Sequence, residues 1–378
     1  MSTARTLHVA PSRRDLLAGS GALGLAAALG LSPAALHSAL AADPNAWTLP
    51  PDLEAAKAQG AQFPSYGMPD SWANYGEVVQ KLGARYGFKA DHTDTDMNSL
   101  EEITKFEAEK NNAVAICADI GILYGKVADQ KNVVPPYVPP NAVKLPAGLK
   151  GEKGGWVATF TGVPAMVVNT DVVKNVPKTW ADLAKPEYKG KVETIDAAGG
   201  AGTSVSTFIA WAYANGGTEE NLKPAIDFAK AMVGQYASAS ANNQTLEKGE
   251  VPILIRYDFN CIAAAKAVKA KGVNAEVVIP ADGSIYAPSA LMLNKFNLAK
   301  MDVAKLMLDF VLSDEGQAAF AKFGARPIRY VLGDLKLSDD AKANWLPDSD
   351  YAKVHSIPDW SKVDLQKIVA TYRDEVSG

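Results

Sequence analysis

The sequence predicts an α/β fold, and three observations carry that expectation. Short apolar runs alternate with segments of helical spacing along most of the chain. One run, Ala113-Val114-Ala115-Ile116-Cys117-Ala118, is continuously apolar, as a strand buried on both faces of a parallel sheet would be. The 378 residues, 48% hydrophobic and 21% charged, suit two globular units and exclude a disordered, collagenous or coiled-coil chain. A formal net charge of -4 argues against a nucleic-acid partner, which calls for a basic surplus. The two cysteines, Cys117 and Cys261, exclude a disulfide-stapled scaffold and a CxxC site, and leave one disulfide open.

The chain opens on an export signal. Arg13 and Arg14 precede an apolar stretch from Leu16 to about Leu31, and Ala39-Leu40-Ala41 closes the segment as an A-x-A cleavage site. Ser12-Arg13-Arg14-Asp15-Leu16-Leu17 resembles a twin-arginine motif. The stretch falls short of the ~20 apolar residues that a spanning helix needs, and no later stretch reaches that length. Residues 1–41 are therefore expected to be removed, and the remainder to be soluble in a bacterial periplasm.

A loose entry segment follows at 42–62. Residues 63–72 then read as a first strand and loop. Val78, Val79 and Leu82 predict a helix over 77–86, stopped by Gly87. Phe88-Lys89-Ala90 leads a second strand toward Asp94 and Asp96. Ser99, with Glu102 three residues on, predicts a capping box for a helix carrying Ile103 and Phe106. Asn111-Asn112 ends that helix before the apolar run at 113–118. A proline-rich loop covers 135–146, and 156–169 is β-rich. Thr179 caps a short helix, 191–196 reads as a strand, and 199–204 leads a long helix through Phe208 and Trp211. Beyond it, 226–236 is amphipathic, 251–256 extended, 263–270 helical and 276–280 extended. Residues 304–323 read as one periodic helix.

Enzyme motifs are missing. GxSxG is absent beyond the signal, as are GxxxxGK[ST] and GxGxxG. His92 and His355, the only histidines after residue 41, cannot build HExxH or a histidine-rich metal site. A Ser-His-Asp arrangement through His92 stays open.

Ligand signals are present. The turn Gly199-Gly200-Ala201-Gly202-Thr203-Ser204 lets backbone approach a ligand closely, and a helix starting there aims free N–H groups at an anion. Thr203 or Ser204 would add a hydroxyl, or serve simply as a cap. Tyr257-Asp258-Phe259-Asn260 ends a strand; Asp258 suits an ammonium or several hydroxyls, and equally a helix N-cap. Asp94 and Asp96 share one side of an extended segment, beside the capping candidates Asn98 and Ser99. Trp72, just after Asp70, could stack on a ligand or cover a cation. Arg326 and Arg329 suit either an anion clamp or structural ion pairs.

Three longer motifs point to a family. Pro177-Lys178-Thr179-Trp180-Ala181-Asp182-Leu183 runs into Pro186-Glu187-Tyr188-Lys189-Gly190-Lys191-Val192. Glu247-Lys248-Gly249-Glu250-Val251 precedes a strand, and Phe310-Val311-Leu312-Ser313-Asp314-Glu315-Gly316-Gln317 is the third. With them the chain resembles the periplasmic solute-binding proteins of ABC importers, in the group that handles ferric iron, polyamines, thiamine, phosphonates and sugar phosphates. The resemblance spans most of 65–330. It implies a type II periplasmic binding protein fold: two α/β lobes joined by crossing strands, ligand in the cleft, and a closed form that docks on a membrane permease.

The same resemblance implies a first lobe from 62–160 and 287–335, a second lobe from 161–286, and a C-terminal segment, 336–378, packed on the second. It puts Asp70 and Trp72 at a cleft position and Tyr286 at a crossing, and Thr161 joins the expected ligand set with Asp96, Asn98, Gly202, Thr203, Ser204, Tyr257, Asp258 and Asn260. Ferric-binding relatives carry adjacent tyrosines where this chain has Tyr257 and then Asp258, so the iron ligand set is incomplete. The expectation is a monomer without cofactor or catalysis that captures a small polar, charged organic molecule for an ABC permease. The alternatives are a ferric-iron carrier and an exported hydrolase or cofactor enzyme.

Overall fold

The computed structural model describes residues 46–377, so the export signal read at 1–41 lies outside the described residues. Eleven strands form among the described residues: β1 (Gln62–Tyr66), β2 (Asp91–Thr95), β3 (Cys117–Gly121), β4 (Trp156–Gly162), β5 (Pro164–Asn169), β6 (Ile253–Tyr257), β7 (Ala275–Val278), β8 (Ser284–Ile285), β9 (Ala287–Leu293), β10 (Arg326–Pro327) and β11 (Val354–His355). One sheet has the order β10-β4-β9-β3-β1-β2 and a second the order β6-β5-β7. β1 pairs in parallel with β2 and β3, because the helices Tyr75–Tyr86 and Ser99–Ala108 return the chain to the same end of the sheet. β9 runs antiparallel to β3 and β4, and the second sheet is antiparallel throughout.

The chain is two-lobed, and strands cross between the lobes. β4 and β9 pair as far as Gly162 and Ala287; Val163 then leads into β5, and Tyr286 joins β8 to β9. Beyond β10 the chain returns to the second lobe. β11 pairs in parallel with β8, and the Tyr372 hydroxyl donates to the Ile195 carbonyl at 2.6 Å. An aromatic cluster fills the junction: Phe160 lies 4.9 Å from Phe320 and 5.9 Å from Phe259, ring centre to ring centre. Gly162 passes directly beneath this cluster. A Cβ there would sit 2.7 Å from Tyr257 Cβ and 2.8 Å from Phe259 Cε1, inside van der Waals contact. Gly162→Ala is expected to destabilise the protein by about 1–3 kcal/mol. The check is a lower denaturant midpoint at unchanged slope.

Several elements differ from expectation, each for a local reason. β3 starts at Cys117 rather than Ala113, because Asn294 and Asn297 side chains take the carbonyls of Val114 and Ala115 that a ladder would use. The strand expected at 191–196 is reduced to bridges at Val192; Glu193 substitutes its side chain for a ladder, accepting from the Ile255 N–H at 2.8 Å. Asn98, not Ser99, caps the helix Ser99–Ala108, in a capping box with Glu101. Ser99 Oγ instead accepts from the Gly121 N–H at 3.1 Å and ties the helix to β3. The helix expected over 304–323 is two, Met301–Phe310 and Asp314–Phe323, because extended Ser313 caps the second through the Gly316 N–H. Cys117 and Cys261 are both buried and free.

Candidate ligand-binding site

The carboxyl ends of β1, β3 and β6 meet across the junction of the lobes, where open α/β sheets bind ligands. Trp72 projects from the loop after β1 and packs edge-on against Phe259 of the second lobe, 5.4 Å between centroids. Its Nε1 donates to Asp119 Oδ2 at 2.8 Å, and the Tyr75 hydroxyl donates to Asp119 Oδ1 at 3.1 Å. Asp119 is the middle residue of β3, two before its carboxyl end at Gly121, and is 8% exposed. The Tyr124 hydroxyl reaches the Gly200 carbonyl of the other lobe. Facing Asp119 from the second lobe is Tyr257, whose hydroxyl lies 3.2 Å from Ser206 Oγ. Ala201 is the N-cap of the helix Gly202–Ala214 and its methyl side chain accepts no hydrogen bond, so the first N–H groups of that helix are left for other partners. The backbone there approaches closely: a Cβ on Gly202 would sit 3.9 Å from the Tyr257 hydroxyl.

Charge in this region is one-sided. Burial pushes the Asp119 carboxyl up to about 7, against the pull of the Trp72 and Tyr75 hydrogen bonds, and Asp94 adds to the rise. Glu102, 1% exposed, is raised well above the carboxylate range by burial first, then by Asp119, Asp94 and Asp96. Glu102 Oε2 and Asp94 Oδ2 are buried without a hydrogen-bond partner among the described residues. Burial also raises the Tyr257 phenol; Ser206 and Thr203 oppose this, and the Asp119 charge reinforces it.

Trp72, Gly202, Thr203, Ser204 and Tyr257 come together at this junction. Five other expected residues lie elsewhere. Asp258 is fully buried, with one carboxylate oxygen on the Val163 N–H and the other on the Tyr351 hydroxyl, so it does not line the cleft. Nor is it the N-cap; that position is Tyr257. Thr161 is buried and donates to the Gly162 carbonyl at 3.1 Å. Asn98 spends its side chain on the helix cap, and Asp96 is exposed on the loop before it. Asp70 is exposed and meets His92 Nδ1 at 2.6 Å. Asn260, in the first turn of the helix Asp258–Lys269, and Tyr286, at the second crossing, are half-buried. The arginines are structural: Arg326 pairs with Asp348, and Arg329 with Asp314 and Asp334.

Asp119, Tyr75, Tyr124, Ser206 and Phe259 also stand at this junction and are not among the residues expected from the sequence. A signal for Asp119 existed, since it is the first carboxylate after the continuous apolar run. The Ser-His-Asp arrangement through His92 does form in space. Ser65 Oγ lies 2.9 Å from His92 Nε2, whose ring reaches Asp70. Ser65 is 1% exposed, however, and its hydroxyl donates to Asp94 Oδ1 at 2.6 Å, so its oxygen faces a carboxylate and not a substrate. A large recess of about 1400 Å³ opens elsewhere, between Lys126, Asp129, Lys153, Trp156, Lys295 and Trp360, and contains none of the expected site residues.

Two α/β lobes, crossing strands and a polar junction at the strand ends define a two-lobed binding protein. The chain belongs to the bacterial extracellular solute-binding protein family, whose model matches residues 122–355. An uncharacterized protein of Haemophilus influenzae is 28% identical over 269 residues, 65% of this chain and 72% of that one. The fold is similar to the periplasmic binding protein AfuA of Actinobacillus pleuropneumoniae, solved with fructose-6-phosphate. TM-score is 0.65 at 20% identity, covering 84% of this chain and 98% of that one. It is also similar to the ferric binding protein of Campylobacter jejuni, with TM-score 0.61 at 21% identity, covering 83% and 97%. The type II periplasmic binding protein fold follows from these likenesses. No helix among the described residues is long and apolar enough to cross a membrane.

Proposed function

We propose that this chain captures a small organic amine that also carries an anionic group, and delivers it to the permease of an ABC importer. Lobes 62–160 with 287–335 and 161–286 would close on it, with 336–378 held on the second lobe. The observation behind this reading is Asp119: a carboxylate at the inter-lobe junction whose two hydrogen-bond donors, Trp72 and Tyr75, are both neutral. An ammonium group supplies the missing positive charge, and the Trp72 face suits it as well. Opposite, the uncapped N–H groups of Gly202, Thr203 and Ser204 favour an anion, with Tyr257 and Ser206 as hydroxyl partners. A ligand with both ends bridges the lobes and gains affinity only when they close. A thermal-shift panel of zwitterionic amines, simple amines, sugar phosphates and sulfate tests this, since a ligand of the native state raises stability by mass action. Zwitterionic amines are expected to give the largest shift; a response to sulfate or sugar phosphates alone would sink the proposal.

Ferric iron is the second reading, because Tyr124, Tyr257 and Asp119 offer hard oxygen ligands at the same place. Burial raises both phenols and so holds their protons, which works against phenolate ligation. Ferric citrate is expected to produce no visible charge-transfer band. A band that Tyr257→Phe abolishes would establish iron instead.

A further inference from the structure

Among the described residues, Asp258 is bonded to two of the chain passages between the lobes and lies within reach of the third. The first passage is Val163, between β4 and β5. Its N–H donates to Asp258 Oδ1 at 2.9 Å, and its carbonyl accepts from the Asp258 N–H at 2.8 Å. The third is the C-terminal segment that follows β10. From it the Tyr351 hydroxyl donates to Asp258 Oδ2 at 2.6 Å. The Tyr351 ring centre lies 3.5 Å from the guanidinium carbon of Arg326, whose other aromatic neighbour, Trp345, is 4.5 Å away. Arg326 belongs to β10 in the first lobe and pairs with Asp348 at 3.0 Å. The second passage is Tyr286, whose phenol feels the charges of Arg326, Asp258 and Asp348.

A fully buried carboxylate is costly unless it is hydrogen-bonded and compensated, and packing alone would be better served by an apolar side chain. Here both oxygens are used, each on a different passage of the chain. The residues on either side of Asp258 are Tyr257 and Phe259, the two second-lobe aromatics that face Trp72 and Asp119.

We propose that Asp258 is a positioning residue: its carboxylate ties two of the inter-lobe passages, Val163 and the segment that carries Tyr351, to each other, and so sets the separation of the lobes and the placement of Tyr257 and Phe259 against Trp72. The inference rests on the inter-lobe junction being the capture site. Its test uses ligand-free protein, so a failure to bind amines would overturn that reading and leave this result standing on its own.

Spin labels on cysteines introduced at exposed Thr104 and Asp227, one on each lobe, report the inter-lobe distance by pulsed electron resonance. Tyr351→Phe removes one hydroxyl and Asp258→Ala removes the carboxylate. Each is expected to broaden the distance distribution, Asp258→Ala by about twofold or more, as a hinge loses a restraint. Asp258→Asn keeps an acceptor for Val163 and gives the phenol oxygen a donor, and is expected to restore the wild-type width. If Asp258→Ala does not fold, Tyr351→Phe decides alone. A folded Tyr351→Phe or Asp258→Ala protein with the wild-type distribution would overturn the proposal.

Discussion

Asp119→Asn is expected to weaken ligand binding by about 100-fold, or ~3 kcal/mol, while leaving the fold intact or slightly more stable. The two effects have opposite signs for one reason. In the ligand-free protein the Asp119 carboxylate is buried against the neutral donors Trp72 and Tyr75, which offset only part of the cost of removing it from water. An asparagine lifts that cost. It still accepts from Trp72, and the Tyr75 hydroxyl can turn to accept from the new amide. In the complex, by contrast, the variant meets the ligand ammonium with a neutral group, and a desolvated ammonium without a counter-charge is strongly disfavoured. Calorimetric titration and chemical denaturation on the same preparation check both signs. A variant that binds as well as the wild type would remove Asp119 from the site, whatever its stability.

The second large effect is a pH dependence with a definite direction. The folded-state value near 7 lies above that of an unfolded aspartate, so between pH 4 and 7 the folded state holds a proton that the unfolded chain has released. Stability from this group is therefore fully present at low pH and is lost as pH rises through about 7, by an amount on the order of 4 kcal/mol. Affinity for an amine moves the other way. Below pH 7 the ligand must displace the proton from Asp119, so the dissociation constant is expected to fall about tenfold per pH unit and to level off above 7. Titrations between pH 5 and 8.5 should show that slope, and Asp119→Asn should flatten it. A slope that survives in the variant would assign the titration to a different group.

These effects turn on contacts that local sequence does not reveal. Thr179 was legible as a cap, because a capping box lies within four residues; the structure forms it with Asp182. Gly87 was legible for the same reason: its left-handed backbone closes the helix before it, and that conformation is glycine's own. Alternation of strands and helices was enough to predict an α/β fold, and the chain motifs were enough to point to the family. Asp119 was not legible as a site residue, because its donors come from positions 44 and 47 residues away. Asp258 was visible as a carboxylate at a strand end, but its partner Tyr351 stands 93 residues on. That contact, with the Val163 N–H on its other oxygen, turns its carboxylate away from the cleft. Residues 113–118 failed in the same way, since the asparagines that take over its carbonyls lie beyond position 290.

The junction around Asp119 is proposed to hold an amine. The most direct test is a mass spectrum of the small molecules released when the protein, purified from its native host without added ligand, is denatured. The expected result is one molecule near one equivalent that carries a basic nitrogen together with an acidic group, and that rebinds to the wild type but not to Asp119→Asn. A stoichiometric molecule without basic nitrogen, such as a sugar phosphate or sulfate, would contradict it.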